Sequence, residues 1–191
     1  MKYWRRAMLI ICITHADARR TKASHIFRSL TEQGREEVRH AANRFQELAM
    51  RILRDQYDKK LSIERILSSP KARCIETALL FADELRDLTK TSDISISEKL
   101  DEKQDGILTS EDLVSVIRNE NSQAILIACH GDLANALPPS ALRSQENQGG
   151  WFKQRPVFAL IDYDPEAGWE SAKVLCCEGY EASPWKNLSV F

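Results

Sequence analysis

Residues 8–20 read MLIICITHADARR, an apolar run that ends at Thr14 and His15 and is followed by a polar, basic segment. The run is nearly continuous in apolar residues, which is typical of a strand covered on both faces in a mostly parallel sheet. In open α/β sheets, ligands bind outside the carboxyl ends of the strands. The stretch therefore predicts a buried strand that holds His15 at the edge of a binding site.

The composition is that of a folded and nearly neutral protein. Of the 191 residues, 43% are hydrophobic and 29% are charged, which is enough for a substantial core. Lys and Arg total 27 and Asp and Glu total 28, so the formal net charge is -1. This balance argues against a broad nucleic-acid interface, and no apolar segment reaches the ~18 residues that a membrane span needs. We expect one domain over residues 1–191, with neither a nucleic-acid nor a membrane partner.

The cysteines favour a reducing compartment. Their number is odd, and no two of them form a Cys-x-x-Cys pair. Such thiols are typically free and buried in cytoplasmic proteins. The N-terminus superficially resembles a signal peptide, but its apolar run is short and no small-x-small cleavage site follows. We therefore expect a cytoplasmic protein with free thiols at Cys12, Cys74, Cys129, Cys176 and Cys177.

Six short apolar runs rich in β-branched residues predict six strands. They cover residues 9–13, 63–67, 94–96, 124–128, 157–161 and 173–177. Helical patterns follow Thr31 and Ser110, and a further one covers residues 72–88. In that last pattern the residues expected to face inward are Ile75, Leu79, Ala82 and Leu85. Strands that alternate with helices predict an α/β fold, here a three-layer sandwich with a mostly parallel central sheet and helices on both faces.

Polar residues follow four of the predicted strands. Taken in chain order, these strand ends supply His15, Arg73, Glu102 and His130. Each residue taken alone has an ordinary structural interpretation: a histidine bonded to backbone, a solvated helix arginine or a surface acid. Four of them at the ends of strands favour a functional site, because the carboxyl ends of parallel strands meet at one edge of the sheet.

This set of side chains suits phosphoryl transfer. An imidazole can attack a phosphoryl group and carry it as phosphohistidine. Arginine offers a permanently charged fork of donors for the phosphate oxygens. A second histidine can donate to oxygens that gather negative charge, and a carboxylic acid can protonate the leaving group and then activate water. A metal site is less expected, because no familiar ligand spacing is matched by His15, Asp17 and His25.

Several segments resemble, in order, the motifs of one family. They are the strand LIICITHAD, the helix start LTEQGREEV, the segment ILSSPKARCIETA and the strand and turn ILIACHGDLANAL. The third is the most specific, because it matches Ser-Ser-Pro-x-x-Arg-x-x-x-Thr-Ala. KLDEKQDGIL is similar to the Leu-x-Glu-x-x-x-Gly segment of the mutase-like members. On these motifs the chain resembles the histidine phosphatase superfamily, which has the phosphoglycerate-mutase-like fold.

The resemblance implies a role for each matched residue. His15 would be the nucleophile that becomes phosphorylated, and Arg73 would bind the phosphate. His130 would complete the pocket, and Glu102 is the candidate acid. The family hydrolyses its substrates without a metal or an organic cofactor, so no cofactor is expected. The partner would be a phosphorylated small molecule or a phosphoprotein, and the protein would be a monomer or a homodimer.

One position departs from the first motif of the family, Arg-His-Gly. Thr14 stands where the family has arginine, and Ala16 stands where it has glycine. A hydrogen bond to a charged group is worth about 1.5–3 kcal/mol. Losing the arginine would therefore slow the reaction roughly tenfold to a hundredfold or more. Thr14 offers one neutral hydrogen bond, and further phosphate contacts are expected from Arg19, Arg20, Thr21 or Lys71.

Two functions remain open on these observations. The first is a small phosphatase that acts on a phosphomonoester or a phosphorylated protein residue through phosphohistidine at His15. The second is a degenerate member of the family that binds a phosphorylated ligand or a protein partner without turning it over. Thr14 separates the two, because an arginine at this position raises turnover only if the remaining machinery is intact. Mutase activity is less expected, since it calls for a more basic and more enclosed pocket.

Overall fold

The structure is a computed structural model that describes residues 8–19, 25–57, 61–101, 108–118, 120–130, 136–138 and 156–179. The strands in this part of the chain are β1 (Met8–Thr14), β2 (Arg65–Ser68), β3 (Ile94–Ile96), β4 (Ala124–Cys129), β5 (Val157–Tyr163) and β6 (Lys173–Gly179). The helices are α1 (Glu32–Tyr57), α2 (Ala72–Glu84) and α3 (Ser110–Ile117). Short 3-10 turns cover His25–Phe27, Arg86–Leu88, Glu98–Leu100 and Trp169–Ser171.

The strands form one sheet in the order β3-β2-β4-β1-β5-β6. The pairs β1–β4, β2–β4 and β2–β3 are parallel, whereas β5 runs antiparallel to both β1 and β6. Thr14 lies opposite Cys129 at the carboxyl ends of β1 and β4. This register brings the residues that follow the two strands to the same point on the edge of the sheet.

Both faces of the sheet are covered, which accounts for the continuous apolar run in β1. Ile11 and Ile13 pack in a core that contains residues of α1 and α2. Ile10 and Cys12 point the other way, into a second core that contains residues of α3. Fully burying an aliphatic side chain contributes about 1.5–3 kcal/mol, so both faces stabilise the strand. The predicted α/β sandwich is confirmed.

The longest helix, α1, begins where its cap predicts. The hydroxyl of Thr31 accepts a hydrogen bond from the N–H of Gly34 at 2.9 Å, which satisfies one of the unpaired donors of the first turn. Phe45 on its buried face packs against Phe81 of α2 and Phe158 of β5, with ring centroids 5.5 and 5.6 Å apart. Aromatic contacts of this kind fasten α1 and α2 to the sheet.

The helix predicted over residues 72–88 differs from the observed one in two respects. The α-helix ends at Glu84, and a 3-10 turn takes the place of its last turn. Leu79 is 51% exposed, so its predicted inward position is wrong. The buried face of α2 passes through Ala78 and Phe81, and one residue along a helix turns the side chain by about 100°. Leu79 is therefore carried off that face toward solvent.

The thiols are buried, as the sequence predicts. All five cysteines are buried and free of disulfide bonds. Burial raises the pKa of Cys12 and of Cys176 to about 12, because a thiolate loses its hydration in the core.

Among the helices that the structure describes, none is long and apolar enough to cross a membrane.

Candidate active site

Two histidines lie side by side where β1 and β4 end. The N–H of His15 donates to the carbonyl of Cys129 at 3.1 Å, which extends the strand pairing by one residue. The imidazole rings of His15 and His130 are 5.6 Å apart between centroids and nearly perpendicular. Both residues are buried, with 6% and 3% exposed. The parallel register thus brings together two residues that are distant in the sequence.

A backbone contact determines the tautomer of His15. Its Nδ1 lies 2.7 Å from the carbonyl oxygen of Ala16. A carbonyl oxygen can only accept a hydrogen bond, so Nδ1 carries the hydrogen. The neutral ring then has its lone pair on Nε2. This is the form that a nucleophilic imidazole requires.

The segment after His15 is held against the start of α1. Thr31 donates from its backbone N–H to the carbonyl of Asp17 at 3.1 Å, and from its hydroxyl to the Asp17 carboxylate at 2.9 Å. The N–H of Asp17 in turn donates to the buried Glu37 carboxylate at 3.3 Å. A Cβ added at Gly34 would lie 2.2 Å from the Asp17 carbonyl oxygen, so glycine permits the close approach. The segment LTEQGREEV therefore supports the loop that carries His15.

Arg73 enters the site from the first turn of α2. The N–H of Ser69 donates to the carbonyl of Ala128 at 3.1 Å, which continues the pairing of β2 with β4 beyond β2. The helix begins three residues later, and one Nη nitrogen of Arg73 lies 3.3 Å from Nδ1 of His130. Only 5% of Arg73 is exposed. The structure thus brings His15, Arg73 and His130 to one place.

The opposite edge of the His130 ring faces a polar cluster that the sequence did not predict as a unit. Its Nε2 lies 2.8 Å from Oγ of Ser69 and 3.3 Å from Oδ1 of Asp101. The Ser69 hydroxyl donates to the same Oδ1 at 3.4 Å. Nζ of Lys71 lies 3.2 Å from Oδ2 of Asp101, and the lysine side chain is only 13% exposed. Sequence reasoning missed Asp101 because its neighbour fits the family's acid motif.

Thr14, which the sequence motif matches to the family arginine, contacts β5. Its hydroxyl accepts a hydrogen bond from the N–H of Val157 at 2.8 Å, and the residue is 1% exposed. This bond satisfies a buried donor at the start of β5 and fastens that strand to the end of β1. Arginine has no acceptor atom, so it could not make the same bond.

The remaining predicted site residues divide into those that the structure describes and those that it does not. Lys71 lies beside Asp101 in the cluster around His130. Arg19 is exposed, and its backbone N–H donates to the carbonyl of Ser29 at 3.0 Å. Arg20, Thr21 and Glu102 lie outside the residues that the structure describes. Within those residues, no group of three or more His, Cys, Asp or Glu side chains could hold a metal ion.

Comparisons with known proteins find similarity at the level of structure. No family model and no curated protein matches the sequence. A candidate phosphohistidine phosphatase SixA from Agrobacterium tumefaciens has 18% identity and a TM-score of 0.60, over 91% of this chain and 99% of that one. A protein histidine phosphatase SixA complexed with tungstate has 22% identity and a TM-score of 0.57, over 90% and 97%. The ecdysone phosphate phosphatase of Bombyx mori has 11% identity and a TM-score of 0.55, over 95% and 98%.

These similarities define the class of fold. The chain has the phosphoglycerate-mutase-like α/β fold of the histidine phosphatases, as the sequence motifs implied. Among the solved structures it is similar to the SixA phosphatases over almost the whole length of those chains.

Proposed function

We propose that this protein is a histidine phosphatase, which hydrolyses a phosphomonoester or a phosphorylated protein residue through a phosphohistidine on His15. The observation that carries the proposal is the meeting of His15, Arg73 and His130 at the carboxyl edge of the sheet. The proteins of similar fold include a protein histidine phosphatase and an ecdysone phosphate phosphatase, which supports a phosphorylated substrate for this chain. Their bound tungstate is a tetrahedral oxyanion like phosphate.

In the first step, Nε2 of His15 attacks the phosphorus atom of the substrate. A P–N bond forms as the P–O bond to the leaving group breaks, and the electron pair of that bond departs with the oxygen. The guanidinium of Arg73 and the ring of His130 donate hydrogen bonds to the other phosphoryl oxygens as charge gathers on them. The leaving oxygen takes a proton from an acid, for which Glu102 is the proposed source.

In the second step, water attacks the phosphohistidine. The P–N bond breaks and its electron pair returns to Nε2, which restores the lone pair of His15. The same acid, now deprotonated, accepts a proton from the water. Inorganic phosphate leaves, and the carbonyl of Ala16 keeps His15 in the tautomer needed for the next cycle.

Trapping the phosphoenzyme tests this proposal. The protein is mixed with radiolabelled p-nitrophenyl phosphate and quenched in alkali, in which phosphohistidine survives. Label is expected on the wild type and is lost in His15→Ala. The matched control is His40→Ala, an exposed histidine of α1 whose replacement leaves labelling intact. Labelling that persists in His15→Ala would contradict the mechanism.

A second candidate function, binding without turnover, is favoured by the contact of Thr14. Its hydroxyl accepts a hydrogen bond from the N–H of Val157. It also lacks the positive charge of the arginine that the family motif has at this position. Wild type, Thr14→Arg and Thr14→Val are compared on a panel of phosphoesters, with tungstate binding measured by calorimetry. If the protein is a phosphatase, we expect the wild type to turn over a phosphoester and Thr14→Arg to turn it over faster. Tungstate binding with no turnover in any of the three variants would favour the binding role.

A further inference from the structure

The carboxylate of Asp101 lies among polar groups close to the candidate active site. Its contacts within the described residues include Nε2 of His130 at 3.3 Å, Oγ of Ser69 at 3.4 Å and Nζ of Lys71 at 3.2 Å. Ser69 and His130 are buried, and 22% of the Asp101 side chain is exposed. A carboxylate offers only acceptors. Each of these contacts therefore needs a hydrogen on the neighbouring group.

The contacts on the two edges of His130 agree on where its proton lies. The guanidinium of Arg73 has no acceptor, so its contact at 3.3 Å with Nδ1 uses the lone pair of that nitrogen. The hydrogen of the neutral ring then lies on Nε2, where it donates toward Ser69 and Asp101. In this state the Nδ1 edge, which lies nearer Arg73, has no hydrogen to give to a phosphate oxygen.

We propose that Asp101 is a positioning residue that holds the hydrogen on Nε2 of His130, so that the ring takes a second proton on Nδ1 and donates a charged hydrogen bond to the phosphoryl group. This rests on the proposed phosphatase function. The second proton comes from solvent, and it returns there when phosphate leaves. The imidazolium supplies a positive charge near the phosphate. In the family motif this charge comes from the arginine at the position of Thr14.

The charged groups that face His130 decide how stable the imidazolium is. Asp101 stabilises it, because an opposite charge within about 4–6 Å favours the charged form of a group. Arg73, from α2, opposes it until a phosphate oxygen takes the place of Nδ1 as the acceptor. Cys74, also from α2, has its sulfur 3.7 Å from Nε2, and His15 faces the ring from the end of β1. Lys71 holds the Asp101 carboxylate in place and reduces its effect.

Titration of His130 by NMR tests the proposal independently of activity. The ring carbon and nitrogen shifts of His130, assigned with His130→Asn, are followed from pH 5 to 9 in the wild type and in Asp101→Asn with saturating tungstate. The midpoint is expected to fall by about one pH unit in Asp101→Asn, since the asparagine keeps the shape but loses the charge. Glu98→Gln removes an exposed acid from the adjacent 3-10 turn and is the matched control. An unchanged midpoint in Asp101→Asn would overturn the proposal.

Kinetics provide the second readout. We expect Asp101→Asn to lower kcat about tenfold to a hundredfold with a smaller change in KM, and to move the alkaline limb of the rate profile toward lower pH. Asp101→Glu keeps the charge and is expected to recover part of the loss. A loss of rate in a folded Asp101→Asn with no movement of the alkaline limb would show a merely structural role and overturn the proposal. If the wild type forms no phosphoenzyme, the phosphatase function fails, and the NMR titration still decides the role of Asp101.

Discussion

The ends of β1 and β4 carry the same residue in equivalent positions, but they hold it in different ways. His15 bonds through Nδ1 to the carbonyl of its own neighbour Ala16. His130 is held by side chains from other elements: Ser69 after β2, Arg73 of α2 and Asp101 after β3. A backbone carbonyl can only accept, whereas a hydroxyl can donate or accept. The state of His15 is thus a local property, and that of His130 depends on tertiary structure.

This difference suits the two roles proposed for the rings. A nucleophile needs one fixed tautomer with a lone pair on Nε2, and a carbonyl acceptor enforces it. A ring that receives and returns a proton needs neighbours that tolerate both forms. The cluster around His130 provides them, with a cation on one edge and a carboxylate on the other. Substitutions at one strand end at a time therefore separate the two roles.

Replacing each histidine by asparagine gives the largest expected effect. His15→Asn removes the atom that forms the P–N bond, so we expect kcat/KM to fall by more than about 1,000-fold. His130→Asn keeps the nucleophile and loses one donor to the phosphoryl oxygens, for which about 100-fold to 1,000-fold is expected. Steady-state assays and phosphoenzyme trapping together separate the two. Equal losses, with neither variant forming a phosphoenzyme, would contradict the division of roles.

Gly34→Ala breaks the support of the His15 loop without touching the ring. Alanine normally stabilises a helix relative to glycine by about 1 kcal/mol. Here its Cβ would lie 2.2 Å from the Asp17 carbonyl oxygen, so the loop or the helix must move. We expect the free energy of unfolding to fall by more than about 3 kcal/mol, measured in urea. Glu36→Ala, at an exposed site of the same helix, is the control and should change it by less than about 0.5 kcal/mol. A more stable Gly34→Ala would refute the close approach.

The sequence predicts which residues follow each strand better than it predicts the side-chain contacts between distant segments. The proximity of His15, Arg73 and His130 could be predicted, because each follows an apolar strand or lies in a recognisable motif. Parallel pairing then brings the ends of these strands to one edge of the sheet. The cluster around Asp101 depends on how the segment after β3 returns to β2, and no short-range pattern encodes that contact. The predicted inward position of Leu79 is wrong for a related reason. Helical spacing predicts an apolar face, but tertiary packing decides which residues lie at the middle of that face.

Nor did the sequence distinguish the direction of β5. An apolar run reads the same in a parallel and in an antiparallel strand, and only the connection before it decides the direction. The role of Thr14 followed from that direction, because the first residue of β5 delivers its N–H to the hydroxyl. The motif predicts that Thr14 takes the place of an arginine, but it does not predict the hydrogen bond that the threonine accepts from β5.

Ser69→Ala tests the side-chain support of His130 at a single contact. The hydroxyl lies 2.8 Å from Nε2, and its removal leaves that nitrogen with the more distant Asp101. We expect kcat/KM to fall about tenfold, which corresponds to one hydrogen bond of about 1.4 kcal/mol. Ser68→Ala is the matched control, because that neighbouring serine is equally buried and donates to the carbonyl of Ser69 instead. An equal loss of activity in both variants would assign the effect to packing.

The smallest expected effect at neutral pH is that of a buried thiol in the strand that carries His15. Burial raises the pKa of Cys12 to about 12 from 9.0, so its thiol stays protonated in the folded protein after it has ionised in the unfolded chain. Protons are then lost on unfolding, so the thiol's contribution is complete below pH 9 and is lost as the pH rises toward 12. Urea unfolding between pH 9 and 11 should show a decline that is shallower in Cys12→Ala, by up to about 1.4 kcal/mol per pH unit. The slopes are compared rather than the absolute stabilities, because alanine also removes packing. Between pH 7 and 8 the two slopes should coincide, and parallel curves above pH 9 would show that Cys12 titrates equally in both states.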